Sequence, residues 1–461
     1  MLLLRYGGML AIAAVLFFLI DTYGSKLPAA LALPPEVRGP SLSGKSDVLR
    51  HVLLALFAVL VTGQWLAWVL RYLGQPAVIG EVLGGILLGP SFLGQLSPAA
   101  AEFVLPPDVA PYLSVIAQLG VILYMFLVGL ELNPAVLHER FRSLLAITHG
   151  GTVVPFLLGA VLALYLYPRF SNSHVPFTSF ALFISVALSI TAFPVLARIL
   201  TDRRMQKTQL GILALGCAAM SDVIGWCLLA FVVGVAQAKI SGAFLVLTLT
   251  AAYLGFMFLG VRPVVARLLR RGDEIPWTQG LVALIFAALL LSSLATETIG
   301  IHAIFGAFLL GAVIPHDNPI AVEMTQKLED LVTVLLLPSF FALTGMRTQI
   351  GLVAGSEEWF ACALIILAAT IGKFGGTLLG ARMGAGFSWR DALGLGILMN
   401  TRGLMELIVL NIGMDLHLLS PTLFTMMVLM SLATTLATTP LLHWFERSSE
   451  KLQQGRVSGS S

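Results

Sequence analysis

Apolar residues along this chain come in long blocks separated by short polar breaks. A helix needs about 20 mostly apolar residues to cross the hydrocarbon core of a bilayer. By that measure about fourteen stretches qualify. They lie near 3–20, 51–71, 76–94, 113–131, 143–167, 177–199, 208–237, 243–268, 279–296, 299–315, 329–347, 359–381, 391–413 and 422–445. The pattern predicts an all-α polytopic membrane protein, with about 13 core transmembrane helices behind an N-terminal hydrophobic segment.

The blocks fall into two sets of six. Residues 51–237 form one set, residues 279–445 the other, and the block at 243–268 links them. A single linking helix places the two halves in opposite orientations, the inverted-repeat plan of many secondary transporters. The fifth block of each half is interrupted. In ALSITAFPVLARIL the interruption is Ser189, Thr191 and Pro194; in GLGILMNTRGLMELIVLNIG it is Asn400, Thr401, Arg402 and Gly403. Two interrupted helices in corresponding positions point to a binding site at the membrane midplane, because a break frees backbone groups that lipid would not tolerate elsewhere. The halves show no obvious sequence identity, so the symmetry rests on this pattern.

Composition agrees with a membrane protein and excludes a soluble enzyme. The chain has 461 residues, 58% hydrophobic and 11% charged, with mean hydropathy +0.93, where soluble proteins carry about 25% charged residues. The net charge of +3 gives no reason to expect a nucleic-acid partner. Basic residues gather in loops on one side, among them Arg203, Arg204, Lys207, Arg262 and Arg267, together with the tail. That side is expected to be cytoplasmic, as is the C-terminus, in the inner (plasma) membrane of a bacterium. Residues 1–50 read as a hydrophobic segment, either a helix or a cleaved secretory signal, followed by a Pro-rich external loop. The membrane part is expected over 51–445, with a short polar, disordered tail at 446–461. Cys217, Cys227 and Cys362 all lie in apolar blocks and read as buried free thiols. No phosphate loop, dinucleotide fingerprint or H-E-x-x-H pattern occurs, so neither an enzyme nor a cofactor is expected.

The candidate chemistry is a handful of charges inside these blocks. Asp222 lies about fourteen residues into its helix, near the bilayer centre at 1.5 Å per residue. A charge there costs about 2.5–3.5 kcal/mol, so it persists where it faces a cavity or a partner and can hold a cation or a proton in turn. Ser221 beside it offers a ligating oxygen or a small packing position. Lys373 is a second mid-membrane charge, placed either opposite Asp222 as its ion-pair partner or against the carbonyls of a helix break. Thr191, Asn400 and Thr401 suit a hard cation such as Na⁺ or K⁺, or else cap the broken backbone. Arg402 and Glu406, four residues apart, read as a scaffold salt bridge. Glu81 sits in a Gly-rich packing segment. Glu131 is expected at a solvated edge. His302 reads as a structural residue or a proton shuttle, and Arg347, Glu323 and Asp330 as interfacial.

Several long motifs, in the same order, give the chain a resemblance to a known family. They are GQPAVIGEVLGGILLGPSFLG, MFLVGLELN, ALSITAFPVLARIL, ETIGIHAIFGAFLLGAVIP, FFALTGMRT and LMNTRGLMELIVLNIG. With them the chain resembles the monovalent cation:proton antiporters of the second cation:proton antiporter family, and among those the plant-type cation/H⁺ exchangers. The resemblance implies a core domain with two crossed, unwound helices, a dimerisation domain and a homodimer. It also implies that Asp222 is the ion-binding aspartate, Lys373 the membrane lysine and Thr191 the polar residue of the first crossing helix. Family members usually carry Asn or Asp before the aspartate, and here Ser221 removes one possible proton carrier. The expectation is exchange of Na⁺ or K⁺ for H⁺ without net charge movement. A gated K⁺ efflux protein with channel-like flux is the alternative.

Overall fold

A computed structural model describes residues 2–27, 48–131, 141–172, 174–205, 208–237, 240–270, 278–315 and 318–458, and these are helical with no strands. In chain order the helices are α1 (Leu2–Gly24), α2 (Val48–Tyr72), α3 (Ala77–Leu88), α4 (Ala110–Glu131), α5 (Phe141–Phe170), α6 (Phe177–Ser189), α7 (Phe193–Asp202) and α8 (Gln209–Gln237). A linking helix, α9 (Ile240–Gly255), continues through a π-type turn into Arg262–Arg270. The second half comprises α10 (Gln279–Ile299), α11 (Ala303–Val313), α12 (Pro319–Asp330, continuous with Leu337–Arg347), α13 (Ser356–Thr370, continuing to Gly384), α14 (Trp389–Met399), α15 (Leu404–Asp415) and α16 (Pro421–Ser458).

Ten helices among the described residues are long and apolar enough to cross a membrane. The remaining apolar blocks are shorter because they are broken or start late: Phe177–Ser189 and Ala303–Val313 are two of these. Helix starts follow local chemistry. Pro76 and Pro176 precede α3 and α6 in extended conformation, Asn318 caps α12 ahead of Pro319, and the Ser388 hydroxyl accepts from the Asp391 N–H at 3.1 Å. The last helix runs on to Ser458, where the composition suggested a structureless tail.

Helix packing divides the molecule into two bundles. In one, α2, α3 and α4 interleave with α10, α11 and α12; in the other, α5 to α8 interleave with α13 to α16. α1 lies on α5 and α6, and α9 touches both bundles through α8, α10 and α11. The packing of the first bundle is reciprocal. A Cβ on Gly85 of α3 would lie 2.5 Å from the Ala342 carbonyl of α12, and one on Gly345 of α12 would lie 2.5 Å from Val82 O of α3. A Cβ on Gly311 of α11 would lie 2.2 Å from Phe126 O of α4, and one on Gly129 of α4 would lie 2.3 Å from Phe308 O. These backbones touch because no side chain intervenes. Gly85 closes a G-x-x-x-x-G in GEVLGG, as Gly311 does in GAFLLG; Gly129 of LVGLEL matches Gly345 of LTGMRT. The second helix of each half thus docks on the third helix of the other, as an inverted repeat requires.

Candidate functional site

The interruption in the first crossing helix falls at Ile190, Thr191 and Ala192, between α6 and α7. In the second it falls at Asn400 to Gly403, between α14 and α15. The two breaks meet. The Ala192 N–H donates to the Thr401 carbonyl at 3.2 Å, and the Thr191 hydroxyl donates to the Met399 carbonyl at 3.3 Å. Thr191 therefore caps the opposite helix rather than its own. The Thr401 hydroxyl returns to Leu398 O at 2.7 Å.

Each half-helix end leaves backbone carbonyls without intrahelical partners and carries a partial negative charge. The two ends are treated differently. At the end of α6, the Arg402 guanidinium donates from Nη1 to Ala187 O at 3.0 Å and from Nη2 to Leu188 O at 2.5 Å. The Lys373 ammonium donates to the next carbonyl, Ser189 O. Two cations from the second half thus cover three successive carbonyls of the first. The end of α14 receives neutral donors: the Asn400 and Thr401 N–H groups and the hydroxyls of Thr191 and Thr401.

Lys373 reaches Ser189 from a π-type turn at Ile371–Gly375 in α13. A π-type turn shifts the helix face by one residue, and such turns concentrate at functional sites. The run GKFGG was the sequence signal for it. Lys373 also donates to Ser221 Oγ at 3.5 Å, and Ser221 Oγ donates to Thr191 Oγ1 at 3.5 Å. Lys373 makes no ion pair with Asp222, although the two interact electrostatically. Of the two placements its sequence allowed, the structure takes the carbonyls of a helix break.

Asp222 is 3% exposed on α8. Neither carboxylate oxygen has a hydrogen-bond partner among the described residues. The Phe193 N–H, at the N-terminus of α7, lies close to it without reaching hydrogen-bond geometry. That helix terminus carries the positive end of a dipole, which suits an anion. Asn400 Oδ1 is likewise buried and unpartnered among the described residues. The residues around the two breaks therefore carry a carboxylate, an amide oxygen, two hydroxyls and the carbonyl end of α14, oxygen atoms of the kind that suit an alkali cation. No group of three or more His, Cys, Asp or Glu placed to hold a metal ion occurs among the described residues.

Arg402 and Glu406 pair at 3.5 Å with both side chains buried. The guanidinium that makes this pair also closes α6. The Arg402 backbone is clamped by Thr435 of α16, whose hydroxyl accepts from its N–H at 3.1 Å and donates to its carbonyl at 2.7 Å.

The other candidates lie apart from this site. Glu81 is buried on α3 against Gly63 of α2, in the first bundle. His302 precedes α11 and lines a cavity with Arg347. Arg347 pairs with Asp415 and Glu323 with Lys327, at 2.9 and 2.8 Å. Asp330 is exposed on α12, just before its π-type turn at Leu331–Leu336. The side chain of Glu131 lies outside the described residues. The cysteines are free; Cys217 and Cys362 are buried, but Cys227 is exposed, contrary to its apolar setting, because its face of α8 points outward. Trp226 and Asp415 carry no motif in the sequence, whereas Asn411 is a polar residue in an otherwise apolar stretch.

Comparison with known proteins agrees with this architecture. Residues 52–445 match the family described as sodium/hydrogen exchanger, transmembrane. The chain is 44% identical over 371 residues to the Na⁺/H⁺ antiporter NhaS4 of Synechocystis, covering 80% of this chain and 90% of that protein. It is 39% identical over 394 residues to cation/H⁺ antiporter 19 of Arabidopsis thaliana, and 34% identical over 379 residues to K⁺/H⁺ antiporter 1 of Saccharomyces cerevisiae. These alignments cover 85% and 80% of this chain but 49% and 43% of the relatives, so the chain spans about half their length. Its fold matches the solved sodium/proton antiporter MjNhaP1 of Methanocaldococcus jannaschii with TM-score 0.64 at 16% identity, covering 86% of this chain and 96% of that one.

Proposed function

Because this chain belongs to the sodium/hydrogen exchanger family of integral membrane proteins, we propose that it exchanges a monovalent cation, Na⁺ or K⁺, for H⁺, with Asp222 binding cation and proton alternately. The observation that carries this reading is the Asp222 carboxylate, buried beside two crossed helix breaks with both oxygens unpartnered among the described residues. A buried carboxylate left unpaired costs several kcal/mol. A bound cation or a proton removes that cost, and the two cannot occupy the same oxygens. Ser221, Thr191 and Asn400 supply neutral oxygens to the cation.

Charge counting supports one-for-one exchange. Around the two breaks, Asp222 and Glu406 balance Lys373 and Arg402, so these four charges sum to zero. Protonating Asp222 raises the sum by one, and so does adding a monovalent cation. The two loaded states then carry the same charge, and the membrane potential has no net charge to act on. An electrogenic cycle would feel about 2.3 kcal/mol per charge per 100 mV.

The end carrying Arg203, Arg204 and the C-terminus is cytoplasmic in this reading, and the end carrying Arg347 and Asp415 faces outward, in a bacterial inner membrane. The first bundle supplies a homodimer contact, and the second moves against it.

The test is proton movement in proteoliposomes loaded with a pH dye, with Na⁺ or K⁺ added against an imposed pH gradient. Wild type gives cation-triggered proton flux, and Asp222→Asn gives none. Equal flux in both proteins would remove Asp222 from the mechanism; flux that follows an imposed potential would refute the one-for-one count.

A further inference from the structure

Between Asp222 and the Arg347 end of the molecule, the contacts between the two bundles include an aromatic pair and a polar strap. Nearer the site, Trp226 stands one turn beyond Asp222 on α8. Its ring meets Phe305 of α11 edge to face, with centroids 5.3 Å apart. Both are buried, and the Trp226 indole N–H has no hydrogen-bond partner among the described residues. Phe305 follows His302 and Ile304, which line a cavity of about 510 Å³ together with Gln118, Arg347 and Asp415. The aromatic pair therefore lies on the side of Asp222 that faces this cavity.

At the Arg347 end a polar strap joins the bundles. The Asn411 amide of α15 donates to Thr344 Oγ1 of α12 at 2.7 Å. Arg347 Nη1 donates to Asn411 Oδ1 and to Asp415 Oδ1, each at 2.9 Å. α12 belongs to the first bundle and α15 to the second.

We propose that Trp226 and Phe305 form the gate between the Asp222 site and the Arg347-side cavity, and that the Thr344–Asn411–Arg347–Asp415 strap holds this gate shut until the bundles slide apart. The proposal rests on the exchange reading above. An apolar aromatic contact stops a hydrated ion by excluding its water. The strap suits a reversible lock, because its one ion pair is partly exposed, at 28% and 45%, and such pairs are weak. The orphaned indole N–H points the same way. A buried donor without a partner is costly, and parting the bundles gives it water or a cavity oxygen. The closed state is thereby kept from becoming a trap.

Two measurements in proteoliposomes test this, in a background with Cys217, Cys227 and Cys362 replaced by Ala. The first joins the bundles by a disulfide between Thr344→Cys and Asn411→Cys. Oxidation is expected to lower cation/proton exchange at least tenfold, and reductant to restore it. A cross-linked protein that exchanges at the reduced rate would overturn the strap. The second follows a charged thiosulfonate, applied from the Arg347 side, as it modifies Ser221→Cys. Trp226→Ala is expected to speed modification about tenfold, and Trp226→Phe to leave it near the rate of the Trp226 protein. Equal rates in all three would overturn the gate. Asp222→Asn is measured alongside. If it exchanges normally, the function reading fails while the modification rates still report the gate.

Discussion

The heaviest structural load at the site falls on Arg402, and its removal can be worked through. Arg402→Met keeps most of the side-chain volume and deletes the guanidinium. Two carbonyls, Ala187 O and Leu188 O, lose charged donors held at 3.0 and 2.5 Å. Hydrogen bonds to charged groups contribute about 1.5–3 kcal/mol each. Glu406, paired at 3.5 Å and buried, is left alone. Breaking a buried pair by removing one partner costs about 3–5 kcal/mol. The sum, about 6–11 kcal/mol, rivals the whole stability of an ordinary domain, about 5–15 kcal/mol. Arg402→Met should therefore yield little folded protein. Adding Glu406→Leu removes the stranded carboxylate and should recover about 3–5 kcal/mol, leaving the two carbonyl losses. The assay is thermal unfolding of purified protein in detergent, with monodispersity by fluorescence-detected size exclusion. The expected order of midpoints is wild type, then the double variant, then Arg402→Met. A double variant no more stable than Arg402→Met would refute the assignment of Glu406 as the partner of Arg402. A fully stable Arg402→Met would refute the capping of α6 altogether.

Two further outcomes follow from backbone placement. Gly311→Val puts a Cβ 2.2 Å from the Phe126 carbonyl, an overpacking that side-chain motion cannot relieve, so its cost should exceed the usual 1–3 kcal/mol or so; Gly85→Val, at the matching position of the other half, should show the same loss of midpoint, and wild-type stability in either would contradict the close approach. Ser189→Ala should keep exchange within about twofold, because Lys373 binds the main-chain carbonyl of that residue and the hydroxyl makes ordinary neutral bonds to Ser185 O and Thr152 O; an initial rate reduced tenfold in proteoliposomes would show that the hydroxyl itself takes part.

The two half-helix ends are asymmetric. Arg402 and Lys373 cover the carbonyls at the negative end of α6. The end of α14 has neutral donors, and the Thr191 hydroxyl on Met399 O links it to Ser221, the residue before Asp222. The same sequence pattern, a break in an apolar helix, thus meets charged donors in one half and neutral donors in the other. The difference is made by side chains that arrive from α13 and from the second break.

Much of this architecture was legible in the linear chain. Hydrophobic block length marks helices because a bilayer has a fixed thickness, and the polar interruptions at Thr191 and Asn400 marked the breaks because unpaired backbone is tolerated in a membrane only where something pairs with it. Asp222 stood out because a charge at that depth is costly. What needed the tertiary structure was every choice of partner. The sequence allowed Lys373 either the carboxylate or a carbonyl; a π-type turn in α13 aimed it at Ser189 O. The spacing of Arg402 and Glu406 announced their pairing along one helix and was silent about Ala187 and Leu188, which lie more than 200 positions away. Trp226, an apolar residue in an apolar helix, carries no sequence mark, and only its meeting with Phe305 across the bundle interface singles it out. The depth of a residue in the membrane follows from counting along one helix. The identity of its neighbour depends on how helices cross, and in the first bundle the close crossings are made by paired glycines whose reciprocity appears only when the two halves are packed together.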